Sequence, residues 1–472
     1  MDRLEEFDKW NPYIIWIFTS MTFTWCITAA PMMITAFIVG QVCPPDTNCT
    51  STLGTLMEEF DLTGDKAHLA GIATSMYLFG NMVGACTVAR LADLIGRRPL
   101  IIVNVFILGV VGLISATSSS IYEYIALRFV QGIFFPGCGI VSWVLAYESM
   151  GMFWRSYAAF FFGLAWVIGY CIVGPLAYLI PYWRHLVVVA SFPSCILGVI
   201  YWFTIPESYH YMVSKGKSIE LNKWLQNVNR FKQETELSAE DLINEHLKHQ
   251  KSDGTENKTF LVQLISHKRI LLYTMVLSYL WVCDTFVYYG LSLFSTELAG
   301  DKFWNYILSG FIELPSYAVS PYLLDKIGRR LFVSAAHFLA GFSFLATIFI
   351  NHPTMSLIFW LMGKFGISCA FTCLFVYASE VFPTNLRSGC IGACEILARL
   401  GGVFAPQANE LKFVYEKLPM IFFTIVAGVG GAVTLILPET KGQNLPDTIC
   451  EAENRRKISQ RQHTGTILSN VD

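Results

Sequence analysis

Long apolar runs separated by short polar connections make up most of this chain. A run of about twenty apolar residues is long enough to cross the roughly 30 Å hydrocarbon core of a bilayer as an α-helix. Twelve such runs occur, so the pattern predicts an all-α membrane protein with twelve transmembrane helices. The predicted spans lie at about 11–40, 69–88, 100–117, 122–146, 157–178, 186–205, 270–290, 304–324, 331–350, 355–377, 388–406 and 418–437.

One long polar segment interrupts this pattern between the sixth and seventh runs. Within it, Trp224, Leu225 and Val228 are spaced as one face of a helix, and residues 238–241 resemble a capping box. The segment therefore predicts two or three surface helices that join two halves. The predicted domains are an N-terminal six-helix half at 1–205, a helical linker at 206–269, a C-terminal six-helix half at 270–437 and a polar tail at 438–472.

Polar motifs of the first half recur in the second half at one fixed offset. The stretch ADLIGRR at 92–98 is nearly repeated as LDKIGRR at 324–330, 232 residues later. Motifs that repeat at a single fixed offset indicate a duplication, and hence two pseudo-symmetric six-helix bundles. The same offset relates Glu148 and Arg155 to Glu380 and Arg387, and Pro206 and Glu207 to Pro438 and Glu439.

The distribution of charge assigns a side of the membrane to each loop. Apolar residues make up 54% of the chain and charged residues 14%, and a net charge of -2 leaves no basic field for binding nucleic acid. An even number of spans separates the repeated motifs, so all of them face one side, which is rich in arginine. The positive-inside rule makes that side cytoplasmic. We therefore predict a multi-pass plasma-membrane protein in the lipid bilayer, with the linker, the tail and both termini in the cytoplasm.

The loop after the first span carries features of an outside face. Asn48, Cys49 and Thr50 form a glycosylation sequon, and Cys43 and Cys49 are candidates for a disulfide, while an unpaired state is equally open. A second sequon at Asn257 falls in the predicted cytoplasmic linker and should stay unmodified. Most other cysteines lie singly within spans, where we interpret them as small core residues.

The repeated charges predict a cytoplasmic gate. In each copy a carboxylate ends one span, a glycine permits a tight turn and two arginines begin the next span, so ion pairs there can lock one conformation. A pure topology signal would explain a single copy, but two copies with matched Glu and Arg partners favour gating. The predicted gate residues are Asp93, Arg97, Glu148 and Arg155 in the first half, and Asp325, Arg329, Glu380 and Arg387 in the second.

Two six-span halves with these loop motifs resemble the major facilitator superfamily. PESYHYM at 206–212 and PETKGQNLPDT at 438–448 resemble segments that sugar and organic ion transporters share. Other stretches are similar, more narrowly, to the organic cation, carnitine and organic anion transporter family: VYYGLSL after 286, FIELPSY at 311–317, SEVFPTNLRSGCIG at 379–392 and RLGGVFAP at 399–406. Ala89 departs from the usual glycine of the loop motif. The loop after the first span, at about thirty residues, is shorter than is usual in the family.

The same resemblance bears on the charge of the substrate. Organic cation transporters typically place an Asp before the glycine turn of the eleventh span, whereas this chain has Arg399, as organic anion transporters do. Lys364 likewise matches a basic position of the family. The resemblance therefore implies kinship with the anion or zwitterion carriers.

Ionisable residues within spans are costly and are functional candidates by default. Subtracting 232 from Lys364, Glu395 and Arg399 gives Gly132, Gly163 and Val167, so the first half lacks these charges and they fit a substrate role better than a scaffold role. Glu395 and Arg399, one helical turn apart, have the alternative of neutralising each other. The intramembrane candidates are Asp284, Glu313, Lys364, Glu395 and Arg399, with Arg128 left between structural and coupling roles.

Four aromatic residues are further candidates for the substrate site, although for each one taken alone packing is the favoured alternative. They are Trp25, Trp166, Tyr288 and Tyr289. Their rings would attract a quaternary ammonium group, so acids and bases together with rings could hold both ends of a zwitterion.

We predict a secondary carrier that moves a small organic anion or zwitterion, such as a carnitine-like compound, by alternating access about a midplane site. The alternatives are an organic cation carrier of the same family and a receptor or sensor that has lost transport. The sequence has no pattern typical of a catalytic nucleophile, a metal site or a phosphate-binding loop, so we predict neither an enzyme nor a cofactor. A coupling ion as a further partner is left open.

Overall fold

The computed structural model describes residues 10–39, 54–62, 66–230, 239–250, 260–298, 300–350, 352–413, 415–443, 445–446, 449 and 451–452. Over these residues the secondary structure is helical, and the chain forms two compact units, Met1–Glu256 and Asn257–Asp472. The candidate glycosylation site Asn48 and the candidate disulfide residues Cys43 and Cys49 lie outside the described residues, so their predictions stay untested.

The first unit contains six long helices and several short ones. Close packing of α4 on α6 depends on glycine, because a Cβ added to Gly132 would lie 2.0 Å from the carbonyl oxygen of Tyr77. The helices are α1 (Pro12–Met33), α2 (Thr35–Ile38), α3 (Leu56–Glu59), α4 (His68–Ile95), α5 (Arg97–Ser115), α6 (Ile121–Ser149), α7 (Met152–Leu179), α8 (Trp183–Thr204), α9 (Tyr209–Ser214), α10 (Ser218–Asn229) and α11 (Ala239–Gln250).

The second unit follows the same order of long helices. Its core is formed by apolar faces of α13, α16, α17 and α18, with Trp281 and Tyr377 among the large buried side chains. The helices are α12 (Phe260–Ser266), α13 (Lys268–Phe294), α14 (Lys302–Phe311), α15 (Glu313–Ile327), α16 (Arg329–Phe349), α17 (Pro353–Val381), α18 (Thr384–Phe404), α19 (Gln407–Glu410) and α20 (Leu418–Thr434).

Among the described residues, nine helices are long and apolar enough to cross a membrane by themselves. The three remaining predicted spans are each too short, too charged or interrupted to count as such a helix. The eighth is divided into α14 and α15, α18 carries three charged side chains, and α20 has 17 residues. Counting these three with the nine gives the predicted twelve, and the all-α membrane fold is confirmed.

The eighth span differs from its prediction as one continuous helix. It is interrupted at Ile312, which caps α14 and directly precedes Glu313 at the start of α15. Pro315 explains the break, because proline has no N–H to donate to the carbonyl of Phe311, four residues earlier. The interruption brings Glu313 to a helix start inside the unit, where its side chain is fully buried.

At the end of the first unit opposite Arg97, hydrogen bonds among Glu59, Arg184 and the Ala116 carbonyl connect helix ends, and we call this set of bonds a clasp. Glu59 accepts a hydrogen bond of 2.8 Å from Arg184 Nε, while Arg184 Nη1 donates to the carbonyl of Ala116, which caps α5. Burial alone would raise the pKa of the Glu59 carboxyl, but hydrogen bonds from Arg184 and Trp183 outweigh it and hold that pKa below its ordinary value.

The second unit has a related clasp. Lys412 forms an ion pair with Glu297, and Lys417 Nζ donates to the carbonyl of Ile348, which is the residue 232 positions after Ala116. In each unit, therefore, a basic side chain at or just before the start of the last long helix donates a hydrogen bond to a carbonyl at the C-terminal end of the third long helix. The sequence repeat did not reveal this, because the bases differ in type and register.

Candidate functional site

The predicted gate residues meet at one end of the first unit. Arg97 binds Glu148 with two parallel hydrogen bonds, of 3.1 Å from Nε and 3.0 Å from Nη2, and Nη2 also lies 2.9 Å from Asp93 Oδ1. Ser208 donates to the same Glu148 carboxylate. Such bidentate Arg–carboxylate pairs are stronger and more directional than single ion pairs. This cluster therefore ties the end of α4 to α5, α6 and the segment after α8.

Glu207 has a capping role that the sequence did not assign to it. Its Oε1 accepts hydrogen bonds from the backbone N–H groups of Arg97 at 2.8 Å, Arg98 at 2.9 Å and Ser208 at 3.1 Å. A carboxylate at this position satisfies free N–H groups of α5 and complements its dipole. Burial raises the pKa of Glu207, although these hydrogen bonds oppose the shift.

Gly96 makes room for this cap. It has φ 114°, a conformation that L side chains rarely adopt, and a Cβ there would lie 2.4 Å from Glu207 Oε2. The glycine of the repeated motif is therefore required both by the turn and by the approach of the carboxylate.

The second unit repeats the cluster almost atom for atom. Arg329 binds Glu380 through Nε at 2.9 Å and Nη2 at 2.9 Å and pairs with Asp325, and Glu439 accepts from the N–H groups of Arg329 and Arg330. Thr440 replaces Ser208 as the hydroxyl donor, to Glu380. The structure thus brings together three of the four predicted gate residues in each unit, and their gating role stays a prediction.

The fourth gate residue of each unit binds main-chain carbonyls. Arg155 Nε donates to Tyr147 at 3.0 Å, and Arg387 Nε donates to Phe382 at 3.3 Å. Arg155 also lies 3.5 Å from His210 Nε2 and, with Arg97 and Glu148, lines a cavity of about 380 Å³ in the first unit.

Two intramembrane candidates of the second unit form one buried network. Lys364 Nζ lies 3.2 Å from Glu313 Oε1, and both side chains are 0% exposed. The hydroxyl groups of Tyr288 and Tyr317 donate to Glu313 Oε2 at 3.2 Å and 3.3 Å, and Lys364 Nζ sits 3.4 Å from the centre of the Tyr288 ring. The two opposite charges and their hydrogen bonds make a neutral, largely satisfied cluster, which is the form in which buried ions are tolerated.

Asp284 has a partner that the sequence analysis missed. His337 on α16 places its Nε2 3.0 Å from Asp284 Oδ1, and both side chains are fully buried. The available signal in the sequence is a histidine within the apolar run of the ninth span. Asp284 of the seventh span thus lies beside His337, a basic residue of the ninth span.

Glu395 and Arg399 are the two remaining intramembrane candidates of the second unit. Both are partly buried on α18, and within the described residues neither has a hydrogen-bond or ion-pair partner, not even each other. Gly402, less than one turn after Arg399, packs near the Tyr289 ring, which places that ring beside α18. The two side chains thus form no contact ion pair, although their opposite charges still attract each other, and the alternative of mutual neutralisation stays untested.

The predicted aromatic residues of the first unit belong to one cluster. Trp25 and Trp166 have ring centroids 6.3 Å apart, and Phe162 lies 5.3 Å from Trp25. Trp25 Nε1 donates to the carbonyl of Gly139 and to Ser142 Oγ, so its orientation is fixed. Substrate contact by these rings stays a prediction.

Arg128 is buried in the same unit without a carboxylate among the described residues. Its guanidinium donates to the carbonyl of Pro31 at 2.9 Å, to Gln131 Oε1 at 2.8 Å and to Thr35 Oγ1 at 2.7 Å, and it lies 4.3 Å from the Tyr77 ring. These contacts tie α6 to the break between α1 and α2.

Comparison with known proteins agrees with this architecture. The sequence matches the family described as "Sugar (and other) transporter" over residues 13–448. It is 37% identical to a candidate transporter of Caenorhabditis elegans over 457 residues, which are 97% of this chain and 92% of that protein. It is 32% identical over 414 residues to organic anion transporter 3 of Oryctolagus cuniculus, covering 86% of this chain and 75% of the relative.

This chain belongs to the organic cation and organic anion transporter family of the major facilitator superfamily.

Two further comparisons fit this membership. Organic cation transporter 1 of Caenorhabditis elegans is 29% identical to this transporter over 414 residues, covering 87% of this chain and 71% of the relative. The solved structure of the proton:xylose symporter XylE of E. coli, bound to 6-bromo-6-deoxy-D-glucose, has a TM-score of 0.68 at 17% identity, with 92% and 98% of the two chains covered. That likeness concerns the fold. The transporter is thus a multi-pass membrane protein and not an enzyme.

The paired gate clusters lead to a matched stability prediction. Glu148→Gln and Glu380→Gln each remove a carboxylate that accepts two bonds from an arginine, and each should lower stability by about 1.5–3 kcal/mol. The two single variants should show similar losses, because each cluster has the same bonds within its own unit. Thermal unfolding of the purified transporter in detergent measures this. Glu416→Gln, at an exposed position before α20, is the control, and an equal effect there would contradict the prediction.

The Lys364–Glu313 network predicts strong coupling between two substitutions. Lys364→Met alone leaves an uncompensated buried carboxylate and should cost about 3–5 kcal/mol. Lys364→Met combined with Glu313→Gln removes both charges, so the double variant should unfold at a higher temperature than Lys364→Met. A complete double-mutant cycle by thermal unfolding tests this, and strictly additive effects would show that the two residues do not interact.

Proposed function

We propose that this protein is a plasma-membrane secondary carrier that moves a small organic anion or zwitterion by alternating access, with Arg399 as the residue that binds the anionic group. The observation that carries the proposal is that Arg399 lacks a contact counter-ion among the described residues. Asp284 and Glu313 each face a base, His337 and Lys364, whereas Arg399 has no counter-ion within 4.0 Å among the described residues. A guanidinium in this position is suited to a carboxylate, which it can bind with two hydrogen bonds.

Glu395 extends the proposal to zwitterions. It lies one helical turn before Arg399, so the same helix offers an acid and a base to the two ends of one molecule. A substrate with an ammonium and a carboxylate group, such as a carnitine-like compound, fits this pair. The name of the rabbit relative, organic anion transporter 3, supports the anionic half of the proposal.

An organic cation carrier is the second candidate. Glu395 is the observation that favours it, because a partly buried carboxylate without a contact partner among the described residues would attract a cation. The name of the nematode relative, organic cation transporter 1, is consistent with it. A receptor without transport activity is a third candidate, and substrate binding without flux in proteoliposomes would favour it.

The Arg399 proposal predicts a charge-selective loss of transport. Arg399→Ala should lower uptake of a labelled dicarboxylate and of labelled carnitine by roughly 10-fold to 100-fold, which corresponds to the about 1.5–3 kcal/mol of a hydrogen bond to a charged group. Uptake of tetraethylammonium should not fall. The measurement is initial uptake in cells expressing equal surface amounts, with and without a pH gradient to detect a coupled proton.

Two further variants sharpen this experiment. Arg230→Ala, at an exposed position after α10, is the matched control and should leave all uptake unchanged. Glu395→Gln should reduce carnitine uptake more than dicarboxylate uptake. Unchanged uptake of every class by Arg399→Ala would remove Arg399 from the site, and a loss confined to tetraethylammonium in Glu395→Gln would support the cation carrier instead.

The proposed orientation, with both termini cytoplasmic, predicts different fates for the two sequons. In mammalian cells, Asn48→Gln should abolish the mobility shift produced by an N-glycosidase, because Asn48 faces outside. Asn257→Gln is the matched control and should leave the shift intact, because Asn257 lies in the cytoplasmic linker. The reverse pattern would mean that the chain is inserted in the opposite orientation.

A further inference from the structure

A compact set of three different side chains lies in the core of the second unit. Cys283 and Asp284 are adjacent on α13, and His337 is on α16. Their exposures are 1%, 0% and 0%. The sulfur of Cys283, one carboxylate oxygen of Asp284 and one ring nitrogen of His337 all lie within 4.8 Å of one another. Three ligand types common in metalloproteins are thus gathered at one point.

The imidazole of His337 is held in the orientation that a metal ligand requires. Its Nδ1 lies 2.9 Å from the carbonyl oxygen of Val333, one turn earlier on α16. Because a carbonyl only accepts, Nδ1 carries the proton and donates it, and this leaves Nε2 directed at Asp284. A second ring nitrogen bonded to a backbone carbonyl is the usual support of a metal-binding histidine.

The carboxylate of Asp284 has unused hydrogen-bonding capacity. Oδ1 lies 3.0 Å from His337 Nε2, and no described residue donates to Oδ2. Buried carboxylate oxygens in proteins nearly always have partners. The Cys283 thiol donates to the carbonyl of Val426 at 3.4 Å, so a ligand bound by its sulfur would replace that weak bond. A ligand that accepts electron pairs from oxygen, nitrogen and sulfur at once would also occupy the Asp284 carboxylate and His337 Nε2.

Gly430 on α20 leaves space beside the three side chains. A Cβ at this position would lie 2.7 Å from His337 Cδ2, 3.3 Å from His337 Nε2 and 3.4 Å from Cys283 Sγ. Any other residue would press against the nitrogen and the sulfur at this point. The glycine thus keeps a side chain away from the nitrogen and the sulfur on the α20 side of the cluster.

We propose that Cys283, Asp284 and His337 bind one divalent transition-metal ion of the zinc type, through Sγ, a carboxylate oxygen and Nε2. Thiolate, carboxylate and imidazole together suit zinc or cobalt, whereas magnesium and calcium prefer oxygen ligands alone. The site spans α13 and α16, so the ion would join two helices of the second unit. It does not use Lys364, Glu313 or Arg399, and it does not depend on the proposed substrate.

The charge balance favours a divalent ion in this buried place. A thiolate and a carboxylate carry two negative charges, and neutral imidazole adds none, so the loaded site has no net charge. Binding releases two protons, one from the Cys283 thiol and one from the Asp284–His337 pair. A neutral site avoids the large cost of an isolated charge in an apolar interior.

The position of His337 in the repeat agrees with a function restricted to the second unit. Subtracting 232 from 337 gives 105, where the first unit has the fully buried Val105. An apolar residue thus satisfies packing at the corresponding place. The sequence shows no metal-ligand spacing, because His337 is far along the chain from the adjacent Cys283 and Asp284 and joins them only in the folded second unit.

The test is metal titration of the purified full chain in lipid nanodiscs after treatment with a chelator. Cobalt alone is added first, since a cobalt–thiolate bond gives a charge-transfer absorption band, and zinc is then added to displace it. We expect about one ion per chain by mass spectrometry and a rise in unfolding temperature with zinc, because a ligand that binds the folded state stabilises it. Absence of cobalt absorption in the wild type would overturn the proposal.

Variants distinguish this site from other cysteines. Cys283→Ser should remove the thiolate band and weaken cobalt binding by at least about tenfold, and Gly430→Ala should weaken binding while retaining all three ligands. Cys369→Ser, at another buried cysteine of the same unit, is the matched control and should retain the band. Monodispersity in size-exclusion chromatography establishes folding. A band that persists in a monodisperse Cys283→Ser protein, or that is lost in Cys369→Ser, would also overturn the proposal.

Discussion

A charge placed inside an apolar helical bundle is costly unless it meets an opposite charge or a set of dipoles at contact distance, because neither the protein core nor lipid replaces lost hydration. Arg97 and Arg329 meet this requirement with two carboxylates each, and Glu207 and Glu439 meet it with backbone N–H groups of the next helix. The same requirement explains why Gly96 and Gly328 recur, since a side chain there would collide with the capping carboxylate. One interaction pattern therefore fixes one end of both units.

The duplication separates what both units need from what only one contains. The arginine clusters and the carbonyl clasps at Ala116 and Ile348 recur, so they belong to the scaffold. The buried pairs of Lys364 with Glu313 and of Asp284 with His337 occur in the second unit, and the first unit has instead Arg128, held by neutral oxygens, and an aromatic cluster around Trp25. The two units therefore share a frame while their interiors carry different chemistry.

The sequence predicted the parts that depend on repetition along one chain. Apolar length located the twelve spans, and the fixed offset located both gate clusters, because these signals are local or additive. It did not predict the break at Ile312, although Pro315 was visible, since proline is often tolerated within membrane helices. It also missed which ions pair, because the partner of Asp284 depends on how α13 and α16 pack. Glu207 was recognised as a repeated residue, but its role as a cap depends on where the chain returns after α8.

The pairing of buried charges bears directly on the choice among substrates. Five of the intramembrane ions were candidates of similar standing in sequence, but their environments differ. Lys364 and Glu313 would have to give up a nearly complete set of bonds to receive a substrate, and that cost would be subtracted from binding. Glu395 and Arg399 have no contact bonds to lose among the described residues, only the longer-range attraction between their charges, so a ligand displaces less there. The preference for Arg399 as the anion-binding residue thus follows from the difference in reorganisation cost as well as from its charge.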